Sequence, residues 1–311
     1  MRKLINFFQK DIWQPQDSHS PVKNFVYKWI RIWYSSIKEF LMDDEGFEKA
    51  STLTFYSLLS IIPVVAIGFG IAQKLGFAEK FTEQIKAQFP GQPQVADKII
   101  EFSLSTLKQT EGSVIAAFGL AVLLWTVFRM VANIATYFNK FWKVETARTF
   151  WQQVKTFVPM IILFPLFLVG SNSLIIYLST KAVLATQSIE ILHFVGPAVT
   201  FLFNIIPYLV SWLLLSFFYI YLPNTKVFWK AGVIAGIITG IFYQIWQWIY
   251  VTFQVNAASY GAIYGSFAAV PLFLIWLNYS WVLILFGTEL SYHIQQEEKG
   301  IITTPTKEEA K

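Results

Sequence analysis

Residues 231–288, AGVIAGIITGIFYQIWQWIYVTFQVNAASYGAIYGSFAAVPLFLIWLNYSWVLILFGT, run for 58 positions without an aspartate, glutamate, lysine or arginine. A helix crosses the roughly 30 Å hydrocarbon core of a bilayer with about 20 apolar residues, and an unpaired backbone group or a charge inside that core costs several kcal/mol. The run is too long for one crossing. It divides at the turn-prone stretch Asn256-Ala257-Ala258-Ser259-Tyr260-Gly261, which gives spans near 231–254 and 264–288. Working outward, four more charge-free runs appear: Ala50–Gln73, Gly112–Phe128, Thr156–Thr180 and Ile191–Thr225. The second continues past Arg129, because Val131, Ile134, Ala135 and Phe138 keep a helical apolar period. The expected spans are therefore about 50–73, 112–135, 156–180, 194–222, 231–254 and 264–288. The fold class is all-α: a polytopic membrane protein with six transmembrane helices. The composition agrees, since 55% hydrophobic and 14% charged residues stand against roughly 45–50% and about 25% in a soluble domain. With no cysteine in the chain, disulfides, thiolate metal sites and a cysteine nucleophile are excluded.

Basic residues are retained on the cytoplasmic side, so Lys and Arg in the connections set the orientation. The segment 129–155 carries Arg129, Lys140, Lys143, Arg148 and Lys155 against one acid, Glu145, and 223–230 carries Lys226 and Lys230 against none. The connection from Lys74 to Glu111 has five charges of each sign. Both termini are thus expected on the cytoplasmic side.

The flanking segments divide the chain into 1–49, a transmembrane domain 50–292 and a flexible cytoplasmic tail 293–311. In the first, Val22, Phe25, Val26, Trp29, Trp33, Ile37 and Phe40 recur at helical spacing, with Lys23, Lys28, Arg31 and Lys38 elsewhere on the wheel. This predicts an amphipathic helix, lying on the anionic inner leaflet or packed on the ends of the bundle. The apolar stretch near Arg2, Lys3 and Lys10 is too short for a signal peptide, so no cleavage is expected. Within 74–111, two amphipathic patterns flank Pro90-Gly91-Gln92-Pro93, which predicts a small external helical cap.

Several polar groups inside the spans are candidate site residues. Ser51, Thr54, Ser57 and Ser60 step by three along one face, and Pro63 follows them; they are either helix–helix glue or a polar stripe beside a cavity. Arg129, Asn133 and Tyr137 share a face that Lys140 continues. A basic residue at the hydrocarbon edge faces a cavity, a carboxylate or a lipid phosphate, or else snorkels to the headgroups. Glu289, at the inner end of the last span, is the carboxylate in position to pair with Arg129. Gly232, Gly236 and Gly240 form a small-residue stripe for close helix packing or for a homo-oligomer. Gln244, Gln247, Asn172, Asn204 and Asn278 need partners in the membrane. Pro159, Pro165, Pro197, Pro207 and Pro271 are expected to interrupt spans three, four and six.

The segment Ala50-Ser51-Thr52-Leu53-Thr54-Phe55-Tyr56-Ser57-Leu58-Leu59-Ser60-Ile61-Ile62-Pro63 resembles the first-span signature of the YihY/virulence factor BrkB family. Arg129, Asn139-Lys140-Phe141-Trp142, Leu222-Pro223-Asn224, Tyr260-Gly261-Ala262, Leu274-Ile275-Trp276-Leu277 and Gly287-Thr288-Glu289-Leu290 continue it in order, over about residues 40–292. Ser51, Thr52 and Thr54 stand where alanines are common in that signature. The resemblance implies a six-helix, multi-pass protein of the bacterial inner (cytoplasmic) membrane, in a family whose members have been proposed to move lipids or other envelope components and which has also carried a ribonuclease BN label.

No catalytic constellation is visible. There is no HxH or HxxxH spacing among His19, His193 and His293, no Walker loop and no Gly-x-Ser-x-Gly elbow, and Asp43-Asp44-Glu45 reads as a solvated helix boundary. No enzymatic activity, metal, cofactor or nucleic-acid partner is expected. The preferred function is transport, translocating a lipid or another amphipathic envelope component through a groove lined by interrupted helices. Ser57, Ser60 and Pro63 would line the path, with Arg129, Asn133, Tyr137 and Glu289 at the inner side and Tyr260 and Gly261 at the outer mouth. Membrane lipids, including anionic headgroups, are the expected partners. The alternatives are a non-transporting scaffold for envelope proteins and, remotely, a ribonuclease.

Overall fold

The computed structural model of the chain describes residues 21–43, 45–87, 93–109, 114–146, 148–162, 196–259 and 269–300. Helix α1, Pro21–Lys38, opens on a proline, which is pre-set for the first helical position, and closes on Lys38, whose charge suits the negative end of the helix dipole. A π-helical turn, Glu39–Asp43, follows. Helix α2 spans Gly46–Lys74; α3, Ala78–Ala87, and α4, Pro93–Gln109, are the two amphipathic helices expected on either side of the Pro-Gly break. Then come α5, Val114–Phe141, α6 over 150–162, α7, Gly196–Tyr221, α8, Trp229–Ser259, and α9, Ala269–Glu298. Every regular element among the described residues is helical.

Four stretches within these are long and apolar enough to cross a membrane: Gly46–Lys74, Ala121–Phe141, Trp229–Phe253 and Pro271–Glu298. A shorter apolar stretch, Tyr208–Tyr221, lies in α7. Most of the expected third span falls on residues 163–195, outside the described residues. Large apolar side chains stand on the outside of the long helices; Trp248 is 69% exposed, and Leu213 and Phe253 are each 64% exposed. Such a surface is out of place in water and matched to acyl chains.

Helix α9 is the hub, packing against α1, α2, α5, α7 and α8. Phe138 and Phe141 of α5, Phe157 of α6, Tyr219 of α7 and Leu285 and Leu290 of α9 are fully buried around it. The most extensive contact joins α7 and α8. The glycine stripe is used there: a Cβ built on Gly236 would lie 2.1 Å from Ser216 Oγ and 2.7 Å from Ser216 N. At the far end, Phe69 and Ala72 of α2, Phe81 of α3 and Ile100 of α4 form a separate small core, with the Phe69 and Phe81 rings edge-to-face at 5.0 Å. The α3–α4 cap is thus anchored to the C-terminal end of α2.

Two expectations are corrected. Among the described residues the prolines do not break the helices: α6 runs through Pro159 and α7 through Pro207, as α2 does through Pro63, while Pro197 and Pro271 sit in first turns, where no N–H partner is needed, and Pro165 lies outside the described residues. A spanning helix tolerates the single bond that an internal proline removes. Nor does a flexible tail begin at residue 293. Helix α9 continues to Glu298, because Gln295 is 2% exposed and both ends of its amide are used, accepting from Phe228 N–H at 2.5 Å and donating to Lys226 C=O at 3.1 Å.

Candidate functional site

The hydroxyl stripe of α2 faces α9. Asn278 Nδ2 donates to Ser51 Oγ (3.1 Å) and Thr54 Oγ1 (3.3 Å), and Trp281 Nε1 donates to Ser57 Oγ (2.9 Å). Ser57 and Ser60 are both buried. Gln244 and Gln247 also have partners, Ser211 Oγ at 2.9 Å and Trp276 Nε1 at 2.8 Å. Ser51, Thr54 and Ser57 of α2, Gln244 and Gln247 of α8 and Asn278, Trp276 and Trp281 of α9 are therefore engaged in interhelical bonds. Asn172, Tyr260 and Gly261 lie outside the described residues.

Two of the stretches that carry the family resemblance, 139–142 and 222–224, meet at one end of the bundle. Asn139 Oδ1 accepts from Asn224 N–H at 2.6 Å, and Asn224 Nδ2 donates to Thr146 C=O at 2.9 Å. Arg148 donates to the carbonyls of Leu222 (2.6 Å), Pro223 (2.9 Å) and Tyr221 (3.2 Å). Its planar fork of donors closes the C-terminus of α7, whose last carbonyls have no intrahelical partner.

At the same end lies a partly buried ionic cluster. The charge-free run ends at Thr288, and α9 carries Glu289 and His293, four residues apart and so on one face, on its extension beyond that run. His293 Nε2 is 2.8 Å from Glu289 Oε1 and 3.5 Å from Glu39 Oε2, which the π-helical turn after α1 supplies. Lys143 Nζ reaches Glu39 Oε2 at 2.5 Å. Lys143 owes its position to the end of α5: Lys143 N–H bonds Lys140 C=O and Val144 N–H bonds Asn139 C=O, each at 2.9 Å, with Lys143 in the left-handed region at φ 53°. That pattern closes a helix and normally places glycine there. Here a lysine takes the position and delivers its ammonium to the carboxylate. Close by, Arg31 of α1 pairs with Glu297 of α9, both nearly buried.

The electrostatics follow from burial and neighbours. Burial opposes the Glu39 charge, but His293 and Lys143 outweigh it and hold the carboxyl down at about 2. Burial likewise opposes the Lys143 charge, and Glu39 more than compensates, so its pKa is raised.

Arg129 stands apart from this cluster. Glu289 meets His293, and the expected Arg129–Glu289 pair is not formed, because the Glu289 carboxylate is fully buried whereas Arg129 is exposed on the outer face of α5. Arg129 makes no ion pair with another described residue. The residue before it, Phe128, packs on Phe150 (6.0 Å) and Phe157 (5.7 Å), so Arg129 lies level with the first two turns of α6, where Lys155 is also exposed. Asn133 and Tyr137 are half-buried on α5, and Lys140 Nζ sits 5.6 Å from the centre of the Tyr137 ring.

Sequence reading did not find Glu39, Lys143 or His293 as a unit. The four-residue spacing of Glu289 and His293 was a readable signal; nothing local announces Glu39, 250 positions earlier than Glu289.

Long apolar helices packed around a central one, with lipid-compatible outer faces, define a polytopic helical membrane protein. The chain belongs to the virulence factor BrkB family, whose pattern matches residues 37–311. It is similar to UPF0761 membrane proteins from Chromohalobacter salexigens, at 26% identity over 278 residues covering 88% of this chain and 66% of that protein, and from Alcanivorax borkumensis, at 26% over 270 residues covering 83% and 60%. A UPF0761 membrane protein from Pseudoalteromonas translucida is 24% identical over 266 residues, 85% of this chain and 86% of that protein. The chain thus spans 66% and 60% of the length of the first two relatives. No solved structure matches.

Proposed function

We propose that the protein is a transporter of the bacterial inner membrane that moves an anionic, amphipathic envelope component, such as a phospholipid, with Arg129 contacting the charged headgroup. The observation that carries this reading is the placement of Arg129: a guanidinium on the exposed face of a spanning helix, without an ion-pair partner among the described residues and level with the exposed Lys155. A guanidinium matches a phosphate with paired donors, and at the hydrocarbon edge it needs such a partner more than it would in water. The exposed rings of Trp125, one turn before Arg129 on α5, and Phe150 of α6, both packed on Phe128, offer an apolar surface for the acyl part of the same molecule. The path is an outer face of the bundle along α5 and α6 rather than a channel between broken helices.

Reconstitution into liposomes containing a fluorescent anionic phospholipid tests this. Wild-type protein is expected to accelerate movement between leaflets. Arg129→Ala should slow it about tenfold, the equivalent of one charge-assisted contact of about 1.4 kcal/mol, and Arg129→Lys should retain part of the rate. Equal rates for wild-type, Arg129→Ala and protein-free vesicles would rule the reading out.

A further inference from the structure

We propose that Glu39, Glu289 and His293 form a binding site for one divalent first-row transition ion, which joins the N-terminal helix to the end of α9. Their ligand atoms, one from each residue, lie within 4.8 Å of one another. A tetrahedral ion with ligand bonds of about 2.0–2.2 Å needs its ligands about 3.3–3.6 Å apart. Of the two distances from His293 Nε2 to the carboxylates, 3.5 Å to Glu39 falls within that range and 2.8 Å to Glu289 lies just below it. Shifts of about 1 Å or less in flexible side chains close the shell.

Two further observations point to a ligand. The His293 side chain is 4% exposed and faces both carboxylates through Nε2, yet neither of its ring nitrogens makes a hydrogen bond of good geometry. Buried polar atoms in that condition call for an ion, a water or a proton. Glu39, moreover, comes from a π-helical turn, a rare element that often marks functional sites. One imidazole and two carboxylates with no thiolate select ions of the Mn2+, Fe2+ and Zn2+ type over Cu+. The buried Glu289 carboxylate and the partly buried Glu39 carboxylate, brought this close, favour positive charge between them.

Lys143 is the competitor. Its ammonium holds Glu39 Oε2 at 2.5 Å, but its side chain is half exposed and can withdraw to water. Removing it should therefore strengthen ion binding, the opposite of what deleting a structural ion pair does. Lys143→Gly is the variant to use, because the left-handed backbone at this position (φ 53°) favours glycine and the helix end is kept.

The test uses the full chain with a histidine-free affinity tag, purified in detergent, stripped with EDTA and titrated with ZnCl2 or MnCl2. Metal content after gel filtration and the melting temperature are both read. The expected result is about one ion per chain, with a melting temperature that rises with ion concentration. Glu289→Gln and His293→Gln should each weaken binding by more than about tenfold, beyond the effect of losing an outer-shell partner. Lys143→Gly should tighten it several-fold. Absence of stoichiometric ion, retained affinity in Glu289→Gln or His293→Gln, or unchanged or weaker binding in Lys143→Gly would each overturn the proposal. If a buried-site variant fails to fold, Lys143→Gly alone decides. Arg129→Ala should bind the ion as wild-type does, so loss of lipid movement and loss of ion binding are separable results.

Discussion

Replacing Gly236 by alanine probes the α7–α8 contact on which the bundle depends. The added Cβ would stand 2.1 Å from Ser216 Oγ, 2.7 Å from Ser216 N and 2.8 Å from Ser216 Cα. The hydroxyl can rotate away, but the backbone of α7 cannot. Restoring an ordinary contact of 3.4 Å to Ser216 N requires the helices to part by 3.4 − 2.7, about 0.7 Å. Overpacking of this kind costs about 1–3 kcal/mol, partly offset by the gain of up to about 1 kcal/mol that alanine brings over glycine inside a helix. The net expectation is a loss of about 1–2 kcal/mol. Gly70 supplies the control: its Cβ would meet only Leu107 Cδ1 at 3.6 Å, so Gly70→Ala should be neutral or stabilising. Thermal unfolding in one detergent, followed by intrinsic tryptophan fluorescence, reads both. A Gly236→Ala protein as stable as Gly70→Ala would refute the close crossing of α7 and α8.

Other expectations concern the ends and the seam. Arg148→Ala strips three carbonyls of their donor and should cost about 2 kcal/mol, with Arg148→Lys recovering less than half, because one ammonium cannot reproduce the fork; the same melting assay checks it. Ser57→Ala and Trp281→Phe should each lose about 0.6–1.7 kcal/mol, and the double variant should lose clearly less than the sum, since both remove one bond. In ion-free protein, the lowered Glu39 pKa, about 2 against an ordinary 4.5, contributes stability that is fully present above pH 4.5 and is lost as pH falls toward 2. Glu39→Gln should flatten that acid limb in a pH series of melting temperatures.

The spans were legible because the cost of a charge in hydrocarbon leaves a mark at every position; the α3–α4 cap was legible because Phe81 and Ile85 repeat at helical spacing before a Pro-Gly break. Helix interruption was misread because proline reports a missing donor but not whether the surrounding helix absorbs it, as α7 does at Pro207. The reach of α9 was misread for a related reason. Residues 295–298 are polar, and polarity alone does not reveal that Gln295 and Glu297 are held by Phe228, Lys226 and Arg31. Arg129 stood out at once because it is a basic residue amid apolar ones. The Glu39–Glu289–His293–Lys143 cluster did not, since it joins four residues from three distant parts of the chain, one of them placed by a left-handed backbone that a lysine rarely adopts.

The chain has no cysteine, so single introduced cysteines report without background on which face of the membrane each segment lies. Glu145→Cys and Lys226→Cys mark the end that holds the ionic cluster, and Lys98→Cys marks the α3–α4 cap; all three positions are exposed. In intact inverted and right-side-out vesicles, an impermeant maleimide should label positions 145 and 226 from the cytoplasmic side only and position 98 from the opposite side only. Labelling of 145 and 226 from opposite faces, or of all three from one face, would contradict a bundle that crosses the bilayer as described.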